Sequence, residues 1–210
     1  MVEPIQSQST TFKEQQSKFI SFLHPYNEVS SFKSWISKCR KEYHDASHVC
    51  WAYRINLATQ LEENASDAGE PSGTAGLPIL NEMKKSNLVN CGLIVIRYFG
   101  GTKLGKRGLM DAYGKSARDV INKTTCKEWI KTDHYLIKAP LEFYGDLSQS
   151  MSKFGGKIIS DHSSEIIIWE IEVQSGRLNE LIQTIRYATK GKGDLEKIIK
   201  RSRRGQTKEV

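Results

Sequence analysis

Two glycine-rich stretches hold the residues of this sequence that are best suited to chemistry. Residues 64–76 (NASDAGEPSGTAG) combine carboxylates with hydroxyls, whereas residues 97–108 (RYFGGTKLGKRG) carry only basic charge. Carboxylates beside hydroxyls could perform acid–base catalysis or hold a cation. Lysines and arginines among glycines suit an anion such as phosphate, because the backbone N–H groups can approach it closely. Charge focused in this way is typical of an anion-binding surface.

Residues in and near the acidic stretch could form a small hydrolase site. Two carboxylates, a histidine and a hydroxyl would suit this chemistry if their side chains converged beside a pocket. Against this, Ser72 or Thr74 could cap a helix that begins near Leu77, and no G-x-S-x-G nucleophile motif occurs. We favour the capping and turn interpretation, in which Asp67 and Glu70 order the basic stretch or the neighbouring His48, and keep enzyme activity as the alternative. The candidate catalytic residues are Asp67, Glu70, His48 and Thr74.

The basic stretch resembles a nucleotide-binding loop but lacks one essential residue. Residues 100–106 spell the first seven positions of the phosphate loop G-x-x-x-x-G-K-[ST], between a predicted strand and a predicted helix. Arg107 stands at the next position, where a hydroxyl should bind Mg²⁺, and the strands are too few for an NTPase sheet. Either simple turn chemistry or a more general anion site remains. The candidate anion-binding or nucleic-acid-binding residues are Arg97, Gly100, Gly101, Lys103, Gly105, Lys106 and Arg107.

We expect neither a metal nor a cofactor. His44 and His48 are four residues apart, but the H-E-x-x-H pattern of metalloproteases is missing, and the pair falls at a helix-to-strand junction. The four cysteines lie far apart without any C-x-x-C, which is typical of reduced thiols in a cytosolic protein.

The composition is that of an ordinary soluble protein. The chain has 210 residues, 38% hydrophobic and 26% charged, with a formal net charge of +7. No apolar run is long enough to span a membrane, and the N-terminus lacks the features of a signal peptide. We therefore predict a cytoplasmic protein with no membrane contact, and a charge that permits RNA, ribosomes or acidic proteins as partners.

Hydrophobic periodicity predicts an α+β first half. Apolar residues at helical spacing predict helices over residues 27–43 and from 109 to 121, with a short helix starting near Leu77. Residues 18–23, 50–57 and 93–99 are predicted strands, and the first 16 residues are predicted to be frayed or bound at a sheet edge.

A second unit is predicted after residue 128. Strand, helix, strand, strand, helix and a last strand follow in order, which is the ferredoxin-like plan. We predict domains over residues 1–128 and 129–200, followed by a basic tail over residues 201–210. Residues 190–204 hold seven basic and two acidic side chains, which indicates a solvated run or a nucleic-acid contact.

The motifs together resemble the YigZ/IMPACT family. The resemblance rests on ASHVCWAY (46–53), SDAGEPSGTAGLPIL (66–80), RYFGGTKLG (97–105) and GLMDAY (108–113), and it covers roughly residues 17 to 125. It implies a first domain similar to domain IV of elongation factor G, with a left-handed β-α-β crossover. It implies a second, ferredoxin-like α/β sandwich similar to domain V of that factor, as in bacterial members. Eukaryotic members resemble this chain only in the first half, carry an added RWD domain and act as translational regulators.

Three positions depart from the family pattern. Ala68 replaces a common aspartate, Lys106 and Arg107 replace small residues, and Asp111 replaces a common arginine, for which Arg107 could compensate. The overall hypothesis is a translation-associated regulator that binds RNA, the ribosome or a translation partner through the basic loop. The alternatives are a small hydrolase and a protein-interaction module.

Overall fold

The computed structural model describes residues 1–57 and 60–198, which divide into two compact units between Trp129 and Ile130. The predicted basic tail, 201–210, lies outside the described residues. Both units are mixed α+β, as predicted.

The first unit is built on a five-stranded antiparallel sheet. Its strand order is β2-β3-β6-β4-β5, so β4 lies between β5 and β6. Because β4 is antiparallel to both neighbours, β5 and β6 run in the same direction. The strands are β2 (Gln8–Glu14), β3 (Ser17–Pro25), β4 (His48–Asn56), β5 (Leu61–Ser66) and β6 (Cys91–Tyr98).

Helices pack on both faces of this sheet. α1 (Val29–Glu42) covers one face, where its Phe32 and Ile36 pack against Ile94 and Ile96 of β6. α2 (Gly76–Lys85) and α3 (Gly105–Asn122) cover the other face, around Leu93 and Val95. The alternation of strand side chains thus divides β6 between two apolar clusters.

Two features of the first unit were not predicted. β5 is a strand, although its sequence LEENAS is polar, because its partner β4 supplies a complete antiparallel ladder from Trp51 to Asn56. A small separate sheet pairs β1 (Val2–Pro4) with β7 (Cys126–Glu128), so both ends of the unit are joined. The first residues are therefore strand-bound.

The second unit has the predicted ferredoxin-like order of elements. Its four antiparallel strands lie in the order β11-β8-β10-β9. Tyr135, Ile137 and Trp169 on the strands pack with Leu147 and Leu181 on the helices. The elements are β8 (Thr132–Pro140), α4 (Tyr144–Phe154), β9 (Lys157–Asp161), β10 (Ile166–Gln174), α5 (Leu178–Ala188) and β11 (Asp194–Ile198), with a 3₁₀ turn over Leu141–Phe143.

Candidate nucleic-acid interface

The two glycine-rich loops meet at one end of the five-stranded sheet. The acidic loop follows β5 and the basic loop follows β6, and these strands run in the same direction. Arg97, near the end of β6, lies opposite His48, the first residue of β4. Each loop then leads into a helix, so both loops and the first turns of α2 and α3 belong to one region.

Asp67 caps the first turn of α2. Its carboxylate accepts hydrogen bonds from the backbone N–H groups of Gly73, Ala75 and Gly76, at 2.8, 2.9 and 2.9 Å. Burial alone would raise the pKa of Asp67, but these three donors hold it below its ordinary value. A helix leaves its first N–H groups without partners in the helix, and this carboxylate satisfies two of them.

The expected cap by Ser72 or Thr74 is therefore corrected. The Thr74 hydroxyl donates to the carbonyl oxygen of Pro71 at 2.6 Å and stabilises the loop itself. The acceptor at the start of the helix comes from a residue far back in the loop, which a search for an adjacent N-cap residue cannot find.

Glu70 lies at the centre of a buried polar network. Its Oε1 accepts from Arg97 Nη1 at 2.7 Å and from the Tyr113 hydroxyl at 2.8 Å. The Glu70 and Arg97 side chains are only 3% and 6% exposed. Burial is the main reason why the pKa of Tyr113 is strongly raised, so its hydroxyl remains a donor. The acidic loop is thereby tied to the strand that leads into the basic loop.

Arg97 thus lies inside the unit, away from the exposed cations with which the sequence grouped it. Side chains alternate along β6, and Arg97 shares a face with Cys91, Leu93 and Val95 in the core. Its guanidinium stacks between the rings of Phe19 and Phe99, at 5.7 and 5.5 Å. A buried arginine paired with a carboxylate is positioned to hold the loops together.

His48 and Cys50, on β4, complete the network. His48 Nδ1 lies 3.0 Å from the carbonyl oxygen of Ala68, and its Nε2 lies 3.8 Å from Glu70 Oε1. The Cys50 thiol donates to the carbonyl oxygen of Asp67 at 2.9 Å. Burial raises the pKa of Cys50 to about 12, so the thiol stays protonated at neutral pH.

The basic loop exposes three cations. Lys103, Lys106 and Arg107 are exposed and make no ion pair with any residue of 1–57 or 60–198. Gly101 and Gly105 have φ of +90° and +69°, which other residues adopt only with strain. These glycines give the loop its path and leave the cations at its surface.

Gly100 anchors the start of this loop. Its N–H donates to the hydroxyl of Ser17 at 3.2 Å. A Cβ at this position would overlap the backbone of Gln16, in the turn between β2 and β3. Glycine is therefore required at position 100 by close packing, whereas positive φ requires it at Gly101 and Gly105.

Sequence reasoning missed Phe99, which directly precedes the basic loop and is bonded to a residue that lines a cavity. The residue is 47% exposed, and its N–H donates to the Ser47 hydroxyl at 3.0 Å. Ser47 helps to line an open cavity of about 270 Å³. An aromatic residue directly after a buried strand was the available signal. The residues lining the cavity are Arg40, Tyr43, His44, Ala46, Ser47, His48, Val49 and Ala68.

The carboxylates proposed for hydrolysis are engaged in structural bonds. Asp67 serves backbone donors, and Glu70 is buried between Arg97 and Tyr113. Thr74 is buried and bonded to its own loop. Within the part of the chain that the structure describes, no three His, Cys, Asp or Glu side chains are grouped to hold a metal. No described helix is both long and apolar enough to cross a membrane.

Comparison with known proteins identifies the family. The model of the Impact N-terminal domain matches residues 15–121, which include β3 to β6, both loops and nearly all of α3. The chain belongs to the IMPACT family. The family member YvyE of Bacillus subtilis is 32% identical over 182 residues, covering 87% of this chain and 83% of YvyE. YigZ of Escherichia coli is 26% identical over 166 residues, covering 79% of this chain and 81% of YigZ.

The fold of nearly the whole chain is shared with a solved structure. A solved structure described as that of a hypothetical protein superposes with a TM-score of 0.70 at 24% identity. It covers 95% of this chain and 98% of its own. The two-unit α+β architecture is thus shared with a solved protein.

Proposed function

We propose that this chain binds single-stranded RNA at the end of the five-stranded sheet, in a translation-associated regulatory role. The observation that carries the proposal is the position of Phe99. Phe99 is exposed and directly precedes the basic loop, whose cations Lys103, Lys106 and Arg107 make no ion pair with a described residue. Its N–H is bonded to Ser47, which lines a cavity together with Arg40 and His44. Aromatic platforms flanked by cations bind single strands, because each base can stack while the backbone phosphates meet positive charge.

The cations of the loop have no evident role in stability. Lys106 and Arg107 lie in the first turn of α3, which has no acidic residue. Positive charge is unfavourable there, because the helix N-terminus is itself the positive end of the helix dipole. A phosphate group near this turn would be attracted by both side chains and by the free N–H groups of the helix.

The support beneath Phe99 fits a stacking role. The Arg97 guanidinium lies 5.5 Å from its ring, and Glu70 holds that guanidinium in place from the other loop. Among the described residues, neither Arg40 of the cavity nor the cations of the basic loop form an ion pair with a carboxylate. Their charge therefore remains available to phosphate.

Membership of the IMPACT family supports the translational part of the proposal. Its eukaryotic members, which resemble this chain in the first half, act as translational regulators. Contact with ribosomal RNA or with the ribosome would connect an RNA-binding surface to such a role.

A salt-dependent binding experiment tests the proposal. Fluorescence anisotropy with a labelled single-stranded RNA of mixed sequence would be measured at about 50 and about 200 mM salt. The variant Lys103→Glu/Arg107→Glu should bind single-stranded RNA of every sequence more weakly. Loss of two phosphate contacts should also reduce the slope of log affinity against log salt by about 1.4. Ribosome co-sedimentation at the same salt concentrations would show whether the chain also binds RNA within the ribosome.

The matched control is Lys153→Glu/Lys157→Glu, which makes the same change of charge in the second unit, where both lysines are exposed. It should leave most of the affinity intact. An equal loss of RNA affinity in both double variants would show that only the net charge of the chain matters, which would contradict a specific site. Failure of the unaltered chain to bind RNA at low salt would also contradict the proposal.

A further inference from the structure

The second unit carries a groove between α5 and β11 that the RNA-binding proposal does not use. Its volume is about 490 Å³. Apolar side chains from both elements form its walls, with Tyr135 of the neighbouring strand. The lining residues are Tyr135, Leu178, Ile182, Ile185, Arg186, Gly191, Gly193, Asp194, Leu195 and Lys197.

The apolar side chains of this groove are only partly covered. Leu178 and Ile182 are one helical turn apart on α5 and are 40% and 38% exposed. Leu195, on β11, is only half-buried. These three side chains present an apolar strip along the groove that is open to solvent.

In the part of the chain that the structure describes, the strand beside the groove has a free edge. There β11 pairs only with β8, in an unbroken register from Asp194 to Ile198. The opposite edge strand, β9, is interrupted by a bulge, which is a common way to protect an edge from further pairing. The backbone of β11 can therefore accept one more strand, whose alternate side chains would enter the groove.

The charge of the groove favours an acidic occupant. Arg186 and Lys197 line it, against a single carboxylate, Asp194. Lys197 is paired with Asp133 at 2.9 Å, whereas Arg186 has no acidic partner in residues 60–198. Arg186 lies in the last turn of α5, at one end of the apolar strip formed by Leu178 and Ile182.

Two occupants from the protein itself are disfavoured. Residues 199–210 contain five basic side chains and only two large apolar ones, Ile199 and Val210. They match the groove neither in charge nor in side-chain character. A second copy paired antiparallel about the centre of β11 would place Glu196 opposite Glu196, and like charges directly opposite each other destabilise a ladder.

We propose that the groove binds an extended acidic peptide segment of a partner protein, by addition of a strand to β11. Apolar side chains at alternate positions of the peptide would fill the space beside Leu178, Ile182 and Leu195. A carboxylate on the peptide would pair with Arg186. The main-chain bonds supply affinity, and the alternating side chains supply specificity, as in other cases of strand addition. This surface is separate from the proposed RNA-binding site and adds a protein partner to it.

The test uses the full chain and the fluorescein-labelled peptide GTLTVTETG, in which the leucine, valine and glutamate side chains share one face, followed by anisotropy. Its scrambled form GTTLVETTG and its charge-reversed form GTLTVTKTG should both bind at least about tenfold more weakly. Because one set of alternate N–H groups would pair with β11, N-methylation of the threonines or of the groove-facing residues should abolish binding in one case and spare it in the other. Equal binding of the scrambled peptide, or loss with both methylated forms, would overturn strand addition.

Protein variants complete the test. Arg186→Glu should weaken binding of the acidic peptide about tenfold and strengthen binding of the charge-reversed one, and Ile182→Glu should weaken both. Lys153→Glu, outside the groove, serves as the control and should bind like the unaltered chain. Displacement of the probe by a synthetic peptide of residues 199–210 would show that the chain's own C-terminal residues fill the groove. Displacement by dimerisation that Ile182→Glu prevents would show that a second copy fills it. Either result would overturn the inference.

Discussion

Arg97 Nη1 donates to Glu70 Oε1 over 2.7 Å, and this buried ion pair joins the acidic loop to the strand that leads into the basic loop. Tyr113 adds a third element, α3, to the same carboxylate oxygen. The residues that first suggested catalysis therefore form the structural link between the two loops.

Removal of one partner of this pair should destabilise the first unit strongly. Glu70→Ala leaves the charge of Arg97 buried without compensation, and we expect a loss of about 3–5 kcal/mol in the free energy of unfolding. Glu70→Leu/Arg97→Met removes both charges and should lose less than Glu70→Ala alone. Urea unfolding of the three proteins measures this, and a loss under about 1 kcal/mol for Glu70→Ala would contradict a buried, essential pair.

Asp67 should make the stability of the first unit depend on pH in the acid range. Because its folded-state pKa lies below the ordinary value of 3.8, its stabilising contribution is fully present above about pH 4 and is lost as the pH falls through the lowered pKa. Asp67→Asn cannot satisfy the three donors equally and should cost about 1–2 kcal/mol at neutral pH.

The measurement is the free energy of unfolding of both proteins between neutral pH and the acid range. The two curves should approach each other below pH 4. A constant difference at all pH values would show that the charge of Asp67 contributes nothing.

Gly100 and Gly101 are adjacent, but their replacement by alanine should have different effects. A Cβ at Gly100 meets the backbone of Gln16, whereas a Cβ at Gly101 meets no atom within 4 Å. Gly101→Ala should cost about 1–2 kcal/mol through its positive φ alone. Gly100→Ala should cost about 3 kcal/mol or more, because the turn between β2 and β3 has to move. Thermal unfolding compares the two variants, and similar melting temperatures would contradict the assignment.

Phe99 should contribute to RNA affinity without contributing much to stability. Its exposed ring predicts that Phe99→Ala weakens binding of single-stranded RNA by about 1–3 kcal/mol, the usual value of one stacked base. Phe99→Trp should retain the affinity, because it keeps an aromatic face. Leu141→Ala removes a similarly exposed side chain (44%) from the second unit and is the control. Equal affinities of Phe99→Ala and the control would exclude stacking.

The elements predicted best were those with a clear apolar period. α1, α3, β6 and all the elements of the second unit follow side-chain patterns that packing reinforces. β5 was missed because an edge strand needs little apolar character, and its Glu62 and Glu63 resemble a loop. Pairing with β4 decides its conformation, and such long-range pairing leaves no local signal.

The roles of the candidate residues were predicted only in part. Glu70 was expected to order the basic loop or His48, and it contacts Arg97 and His48, whereas Arg97, which was grouped with the phosphate-binding cations, is buried. The opposite charges of the two loops predicted that they would interact, and the Glu70–Arg97 ion pair joins them. The burial of Arg97 could have been predicted from the alternation of side chains along β6, because Arg97 lies on the same face as Leu93 and Val95. The capping role of Asp67 required the three-dimensional path of the loop, because its nearest backbone donor, Gly73, lies six positions further along the chain.

The packing of Gly100 against Gln16 has a consequence for the kinetics of binding. The basic loop is held at its start by this contact and at its end by α3, whose Tyr113 is anchored on Glu70. Such a preorganised loop needs to order only its cationic side chains when a ligand arrives. Association with RNA should then depend on diffusion and be accelerated by electrostatic steering. Added salt should therefore lower the association rate.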